Sequence, residues 1–420
     1  MRATENQLNE QLYVTEFIRQ NQVRCINNKL YSLDGAIEDG KARQLIIRDI
    51  LPYVKTNHGD KSDKILRSIK AHCYMEPPKP DTERLHFANG TLSKDKKGRF
   101  AVFSEEKAFC INRFPVKYNP DAPKPERFLR YLNDVFLPDD QVTLQQFCGY
   151  CLLPTTVLQK ALVIIGDGGE GKSVLGAILN GILGDLNCYN ESLSVLQSPF
   201  GVANVENKLL FIDDDLSESA LKNARAFKNL VTNKTTIQAQ KKFVQDNPIK
   251  PYVRFICFGN FTLQAKPKDP DRADDPFIDR EILENEAEGV LLWLLEGLNA
   301  LIQNNYKIAV SDRTKAQSDS FKQENDSVML FLNECDGIKI GEGLRAHSAT
   351  LYVAYEHFCR DNMLPSLKER SFLSMMKTKG RQFGITSHKE PFALHTSHGT
   401  KRARGFLGIS VSDSYISLCF

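Results

Sequence analysis

Gly166, Gly171, Lys172 and Ser173 have the spacing of a phosphate-cradling loop, G-x-x-x-x-G-K-[ST]. The chemistry is anion capture. Glycines let successive amides turn inward around a phosphate, and a helix that starts there adds unpaired donors and a positive dipole end. The cradle is expected to comprise Gly166, Asp167, Gly168, Gly169, Glu170, Gly171, Lys172, Ser173 and Val174. Lys172 would reach the β- and γ-phosphates of ATP, and Ser173 would ligate Mg²⁺. A second set of groups lies downstream, where the apolar run Leu209-Leu210-Phe211-Ile212 ends in Asp213-Asp214-Asp215. Acids at a strand end are what a metal-and-water site requires: Asp213 is expected to hold Mg²⁺ through water, and Asp214 to polarise the attacking water. Whether Asp214 or Asp215 acts on the water stays open. Asn260 closes a third apolar run and is expected to orient water or sense the γ-phosphate.

These groups need a particular scaffold. Ala161 to Ile165, Lys208 to Asp215 and Tyr252 to Asn260 read as strands, the second ending in acids and the third in a polar residue, and Val174 to Leu179 opens a helix after the loop. Parallel strands would bring the loop and the acids to one sheet edge. The expected fold is therefore α/β: a P-loop core of parallel sheet flanked by helices, over residues 156–310. An α+β and helical N-terminal region is expected over 1–155, and a small basic domain, helical or winged-helix, over 326–420.

Composition narrows the class. Apolar residues make up 41% and charged residues 25%, an ordinary globular balance, with a net charge of only +3. Any nucleic-acid surface must therefore be local. No apolar run is long enough to cross a membrane, and the first residues lack the apolar core of a secretory signal, so a cytoplasmic protein is expected. Ten scattered cysteines suit a reducing compartment. The Cys148-Gly149-Tyr150-Cys151 pair has no partner pair at zinc-binding distance and reads as two packed helical cysteines.

Along the chain, 42–54 and 62–73 read as helices, Asn27 to Gly35 as a hairpin, and Leu85 to Leu92 as a strand ending in a turn. Glu126 to Leu153 is helical with a break at Pro138. Lys241, Lys242 and Phe243 place two cations beside a ring, as suits a loop gripping a sugar-phosphate backbone. Residues 280–304 form an apolar helical stretch in which Trp293 is expected to pack rather than stack on a base. Ser311 to Asn325 reads as a polar linker. From Leu364 to Ser410 nine lysines and arginines stand against two acids, so a phosphate-contacting surface including Arg402 and Arg404 is expected. The histidines at 347, 357, 388, 395 and 398 show no ligand spacing and read as surface.

The order of these segments resembles the superfamily 3 AAA+ helicases. Phe87-Ala88-Asn89-Gly90, Phe114 to Asn119, Cys148-Gly149-Tyr150, Phe200 to Ala203 and Glu288 to Leu298 resemble the phage and plasmid primase–helicase branch of that family. The resemblance implies a homo-hexameric ring that hydrolyses ATP and translocates on single-stranded or forked DNA during replication of a mobile element, beside a separate primase or host replication proteins. It also implies that an arginine from a neighbouring subunit completes each ATP site. Here the sequence departs from the branch: no Arg-Arg pair follows Asn260. Either that arginine is lost or a segment is absent from the sequence, and Arg272 and Arg280 are the local substitutes, with Arg272 carried as the candidate.

Other readings compete. An AAA+ ATPase that loads or remodels replication proteins needs the same core. A regulatory GTPase needs Asn-Lys-x-Asp, and Asn233-Lys234-Thr235-Thr236 lacks the acid. Intact Lys172, Asp213, Asp214 and Asn260 argue against a catalytically dead ring, but the missing arginine pair keeps that reading open. The N-terminal 155 residues carry no acidic-x-acidic strand motif with a following histidine, so priming is not expected.

Overall fold

The computed structural model describes residues 8–166, 171–198, 200–216, 225–232, 235–241, 244–260, 275–324, 327–362, 364, 366–396 and 399–412. The chain divides into two compact units, Met1–Ser311 and Asp312–Phe420.

The first unit begins with α1 (Glu10–Asn21), a small antiparallel sheet of β1 (Arg24–Ile26), β2 (Lys29–Ser32) and β3 (Gly35–Ile37), and helices α2 (Asp39–Ile50) and α3 (His58–His72). Asn27 and Asn28 join β1 to β2 with φ of 48° and 63°, the left-handed pair a tight hairpin turn needs. Apolar stripes of the three helices meet over Val23, Cys25 and Leu30 in a core of their own.

Next come β4 (Arg84–Phe87), β5 (Gly90–Lys94) and β6 (Phe100–Ser104), which form a second antiparallel sheet. The segment expected as one strand, Leu85 to Leu92, is instead a hairpin: Leu85 pairs with Leu92, and the chain turns at Ala88-Asn89. Gly90 sits where a Cβ would lie 2.2 Å from the Ser104 carbonyl. Helices α4 (Glu126–Val135) and α5 (Pro138–Tyr150) follow, broken by Pro138 at the first position of α5 as the sequence predicts.

The central sheet holds β7 (Leu162–Ile165), β8 (Cys188–Asn190), β9 (Leu210–Leu216) and, after the β10 (Ile237–Lys241) and β11 (Val244–Ile249) hairpin, β12 (Arg254–Gly259). All its pairings are parallel, in the order β7-β12-β9-β8. Both faces are covered, which explains why its strands read as unbroken apolar runs. On one face Ile212, Ile256 and Phe258 pack with Leu175, Ile178 and Leu179 of α6 (Lys172–Leu183). On the other, Phe211, Phe255 and Cys257 pack with Leu193, Leu196 and Leu230, the last from α7 (Arg225–Thr232). Helices α8 (Ile278–Asn285) and α9 (Ala287–Gln303) complete the unit. The larger core runs from Leu85 to Leu298 and so spans the expected boundary at 155/156. Trp293 packs against it, edge-on to Phe128 with ring centroids 5.1 Å apart.

The second unit contains α10 (Asp312–Glu324), α11 (Ser327–Glu334), β13 (Ile338–His347), α12 (Ser348–Asp361), α13 (Glu369–Lys379), β14 (Thr386–Thr396) and β15 (Gly399–Val411). The expected linker at 311–325 is therefore largely helical. The three strands form an antiparallel sheet in the order β13-β15-β14. Phe331, Tyr355 and Phe372 cluster in its core, and the Tyr355 and Phe372 rings stack at 4.3 Å. His347, expected at the surface, is buried, with Nε2 3.0 Å from the Phe392 carbonyl. It ends β13 pointing into the unit, a placement that spacing in the sequence cannot reveal.

Candidate active site

The loop expected to bind phosphate leaves β7 at Gly166 and enters α6 at Lys172. Asp167, Gly168, Gly169 and Glu170 lie outside the described residues. Gly166 is tied to the sheet by its N–H, which donates to the Gly259 carbonyl at 3.2 Å. Gly171 caps α6 with φ of +86°, a conformation that favours glycine. Its carbonyl accepts from the Val174 N–H at 3.3 Å and from the Tyr131 hydroxyl at 2.9 Å. Lys172 is only 7% exposed, whereas Ser173 is exposed on the first turn and Val174 packs against the core.

Because β12 lies between β7 and β9, Asn260 emerges between the loop and the acids. Gly259 pairs with Ile165 on one side and Leu216 on the other, and Asn260 is exposed just beyond it. The structure thus brings Gly166, Asn260 and the end of β9 to one edge of the sheet.

Asp213 and Asp214 separate there. Successive residues of a strand face opposite sides. Asp213 shares the Phe211 face, away from α6, and is 1% exposed. Its Oδ2 accepts from the Leu193 N–H at 2.8 Å and its Oδ1 from the Asp215 N–H at 3.1 Å. Burial pushes its carboxyl above the usual range, opposed by those two N–H groups. Asp214 lies on the α6 face: a Cβ built on Gly176 would stand 3.2 Å from its Oδ1. Gly176 is one helical turn beyond Lys172, so the absence of a side chain there lets the carboxylate approach the phosphate helix. Burial, and then the charge of Asp213, push the Asp214 carboxyl up. Asp214 and Asp215 are both exposed. The Asp213 carboxylate thus braces the 193–197 segment, and Asp214 lies beside Gly176 of the loop's helix.

Magnesium is held by one or two carboxylates plus phosphate oxygens and water, not by a dedicated protein cage. An exposed Ser173 hydroxyl and the Asp214 carboxylate at Gly176 fit that requirement. Among the described residues no group of three or more His, Cys, Asp or Glu side chains could hold a metal ion.

Of the residues expected to touch DNA, Lys241 ends β10, in register with Val244. Lys242 and Phe243, which join the two strands in sequence, lie outside the described residues, as does Arg272. Arg280 is exposed on α8, with its guanidinium 5.7 Å from the Phe277 ring centroid. Arg402 and Arg404 are exposed on β15, two residues apart and hence on one face. The Arg402 Nε donates to the Pro391 carbonyl at 3.1 Å. Cys148 and Cys151 are buried thiols, and burial pushes Cys151 up to about 11, so neither is poised as a nucleophile. Among the described residues no helix is long and apolar enough to cross a membrane.

Sequence reasoning missed two supports of this site. Tyr131 on α4 reaches the loop, as noted. Arg254, fully buried at the start of β12, donates to the Tyr252 and Cys151 carbonyls and lies 5.4 Å from the Tyr150 ring centroid. It ties the end of α5 to the sheet.

Two family models match parts of the chain. Residues 42–137, from within α2 to beyond α4, match the D5 N terminal like family. Residues 164–280, from within β7 to within α8, match a family of unknown function, DUF5906. No curated protein matches the chain. Among solved structures it is similar to the A-form apo structure of the NrS-1 C terminal region, at 14% identity and a TM-score of 0.46, covering 95% of this chain and 99% of that one. It is likewise similar to a second apo structure of the NrS-1 C terminal region, at 15% identity and a TM-score of 0.47, covering 96% of this chain and all of that one.

Proposed function

We propose that the chain is an ATP-driven DNA helicase of the superfamily 3 AAA+ type, working as a homo-hexameric ring on single-stranded DNA during replication of a phage, plasmid or satellite element in a host cytosol. The observation that carries this reading is the strand order β7-β12-β9-β8. It gathers the glycine-capped helix start at Lys172, the carboxylates of Asp214 and Asp215, and Asn260 at one sheet edge, which is the arrangement phosphoryl transfer needs. The family match over 42–137 supports the assignment to replication of a mobile element.

In this reading Lys172 and the α6 amides hold the triphosphate. Bound Mg²⁺ would neutralise phosphate charge, with the Ser173 hydroxyl and the Asp214 carboxylate as its protein partners. Asp215 accepts the proton of the attacking water, and Asn260 orients that water against the γ-phosphate. The β10–β11 hairpin, with Lys241, is the loop that grips the strand. An arginine from the neighbouring subunit completes the site, and Arg272 or Arg280 supplies it.

The second unit is read as a winged-helix domain. After α10, its order of helix, strand, two helices and two strands leaves Arg370 and Lys377 on α13 and Arg402 and Arg404 on β15 exposed, as contacts for a phosphate backbone.

The test is a forked-duplex unwinding assay with ATP and Mg²⁺. Strand displacement is expected. ATP hydrolysis stimulated by single strands without displacement would favour a loader or remodeller instead. Turnover per subunit should rise steeply with protein concentration, because each site needs two subunits; a flat dependence argues against the shared site.

A further inference from the structure

Helix α4 reaches Gly171, at the end of the loop, through Tyr131. The Tyr131 hydroxyl donates to the Gly171 carbonyl at 2.9 Å, and Tyr131 is otherwise buried in the core. Gly171 and Lys172 share one planar trans peptide, so the Gly171 carbonyl and the Lys172 N–H point in opposite directions. The same carbonyl accepts from Val174, which orients it along α6. The Lys172 N–H therefore points out of the helix start, where an anion would sit.

The other end of α4 is moored. Two amides of its first turn, those of Arg127 and Phe128, each donate to a Glu286 carboxylate oxygen at 2.9 Å. Arg127 pairs with Asp275 and, at 2.9 Å, with Glu281. Arg127 and Tyr131 are four residues apart, so they occupy one side of the helix.

We propose that Tyr131 is a positioning residue for the phosphate loop: it fixes the Gly171 carbonyl so that the Lys172 N–H faces bound phosphate, and α4 is the strut that holds it, moored through Arg127 and Glu286. The inference rests on the nucleotide-binding reading above. Nothing in the sequence marks Tyr131, which belongs to an ordinary apolar stripe.

Tyr131→Phe removes only the hydroxyl and keeps the ring in the core. Calorimetric titration of the full chain with ATP and Mg²⁺ is expected to give an affinity about fivefold weaker, the fold-change that loss of one such hydrogen bond produces. The thermal midpoint without nucleotide serves as the control for a merely structural role. Arg127→Gln, at the far end of the strut, is expected to weaken binding by about threefold, and the double variant by less than the product of the two. Unchanged ATP affinity in Tyr131→Phe, with binding lost in Lys172→Ala, overturns the strut and leaves the nucleotide site standing. Unchanged affinity in Lys172→Ala overturns the nucleotide site itself. A drop in thermal midpoint with unchanged ATP affinity also overturns the strut.

Discussion

Asp213 and Asp214 are neighbours in the chain and face opposite sides of the same strand. The first is bonded to the Leu193 and Asp215 amides; the second reaches towards Gly176 on the phosphate helix. Their substitutions should therefore fail differently. Asp214→Asn is expected to lower ATP turnover by about a hundredfold or more while folding normally, because it removes charge from the metal and water site. Asp213→Ala leaves the Leu193 N–H buried without its acceptor and is expected to cost about 1–3 kcal/mol of stability. Turnover and urea denaturation of the two variants, measured side by side, check the division. Equal loss of turnover at equal stability would contradict it.

His86 gives the first unit a pH dependence. It is 4% exposed, with Nδ1 3.3 Å from the Thr91 hydroxyl and Nε2 3.8 Å from Asp81. Burial, and then the nearby Arg113 guanidinium, depress it to about 4, against a smaller opposing pull from Asp81 and a further push from Arg84. The folded state thus binds fewer protons than the unfolded state between about pH 6.5 and pH 4. Stability is fully present above the unfolded value and is lost as pH falls through that window, on the order of 3 kcal/mol. His86→Gln should flatten the dependence of unfolding free energy on pH there; an unchanged slope would rule His86 out as its source.

Helices α5 and α9 meet backbone to backbone. A Cβ on Gly149 would lie 2.3 Å from the Leu294 carbonyl oxygen, and one on Gly297 would lie 2.2 Å from that of Gln145. Backbone cannot step aside as a side-chain tip can. Gly149→Ala and Gly297→Ala are each expected to destabilise the chain by about 1–3 kcal/mol or more, read from the urea midpoint. Either variant melting like the native chain would show that the helices separate without penalty.

Arg402 and Arg404 share one exposed face of β15. If both meet phosphates, replacing both with glutamine should weaken DNA binding at low salt and reduce the slope of log affinity against log salt by about two. A slope identical to that of the native chain would remove this face from the DNA interface.

Much of the site is legible in the sequence because glycine spacing, a lysine and acid-ended apolar runs carry local chemistry. Gly166 follows β7, Lys172 and Ser173 open α6, and Asn260 follows β12. Which of Asp213 and Asp214 faces α6 is not legible, since adjacent acids at a strand end are equivalent until pairing with β12 fixes which side each faces. Tyr131 and Arg254 were hidden for another reason: they act on backbone carbonyls far away in sequence, and carbonyls leave no motif. The turn at Ala88-Asn89 was lost inside an alternating run that suits one strand or two. The helix at 312–324 is polar on nearly all sides, so its periodicity is faint.

The central claim is that ATP is bound at the start of α6 and hydrolysed there to drive movement on DNA. It is tested most directly by the ATP turnover of the native chain and of Lys172→Ala, each with and without single-stranded DNA. The expected result is DNA-stimulated turnover in the native chain and a fall of about a hundredfold or more in the variant. Undiminished turnover in Lys172→Ala would contradict the account.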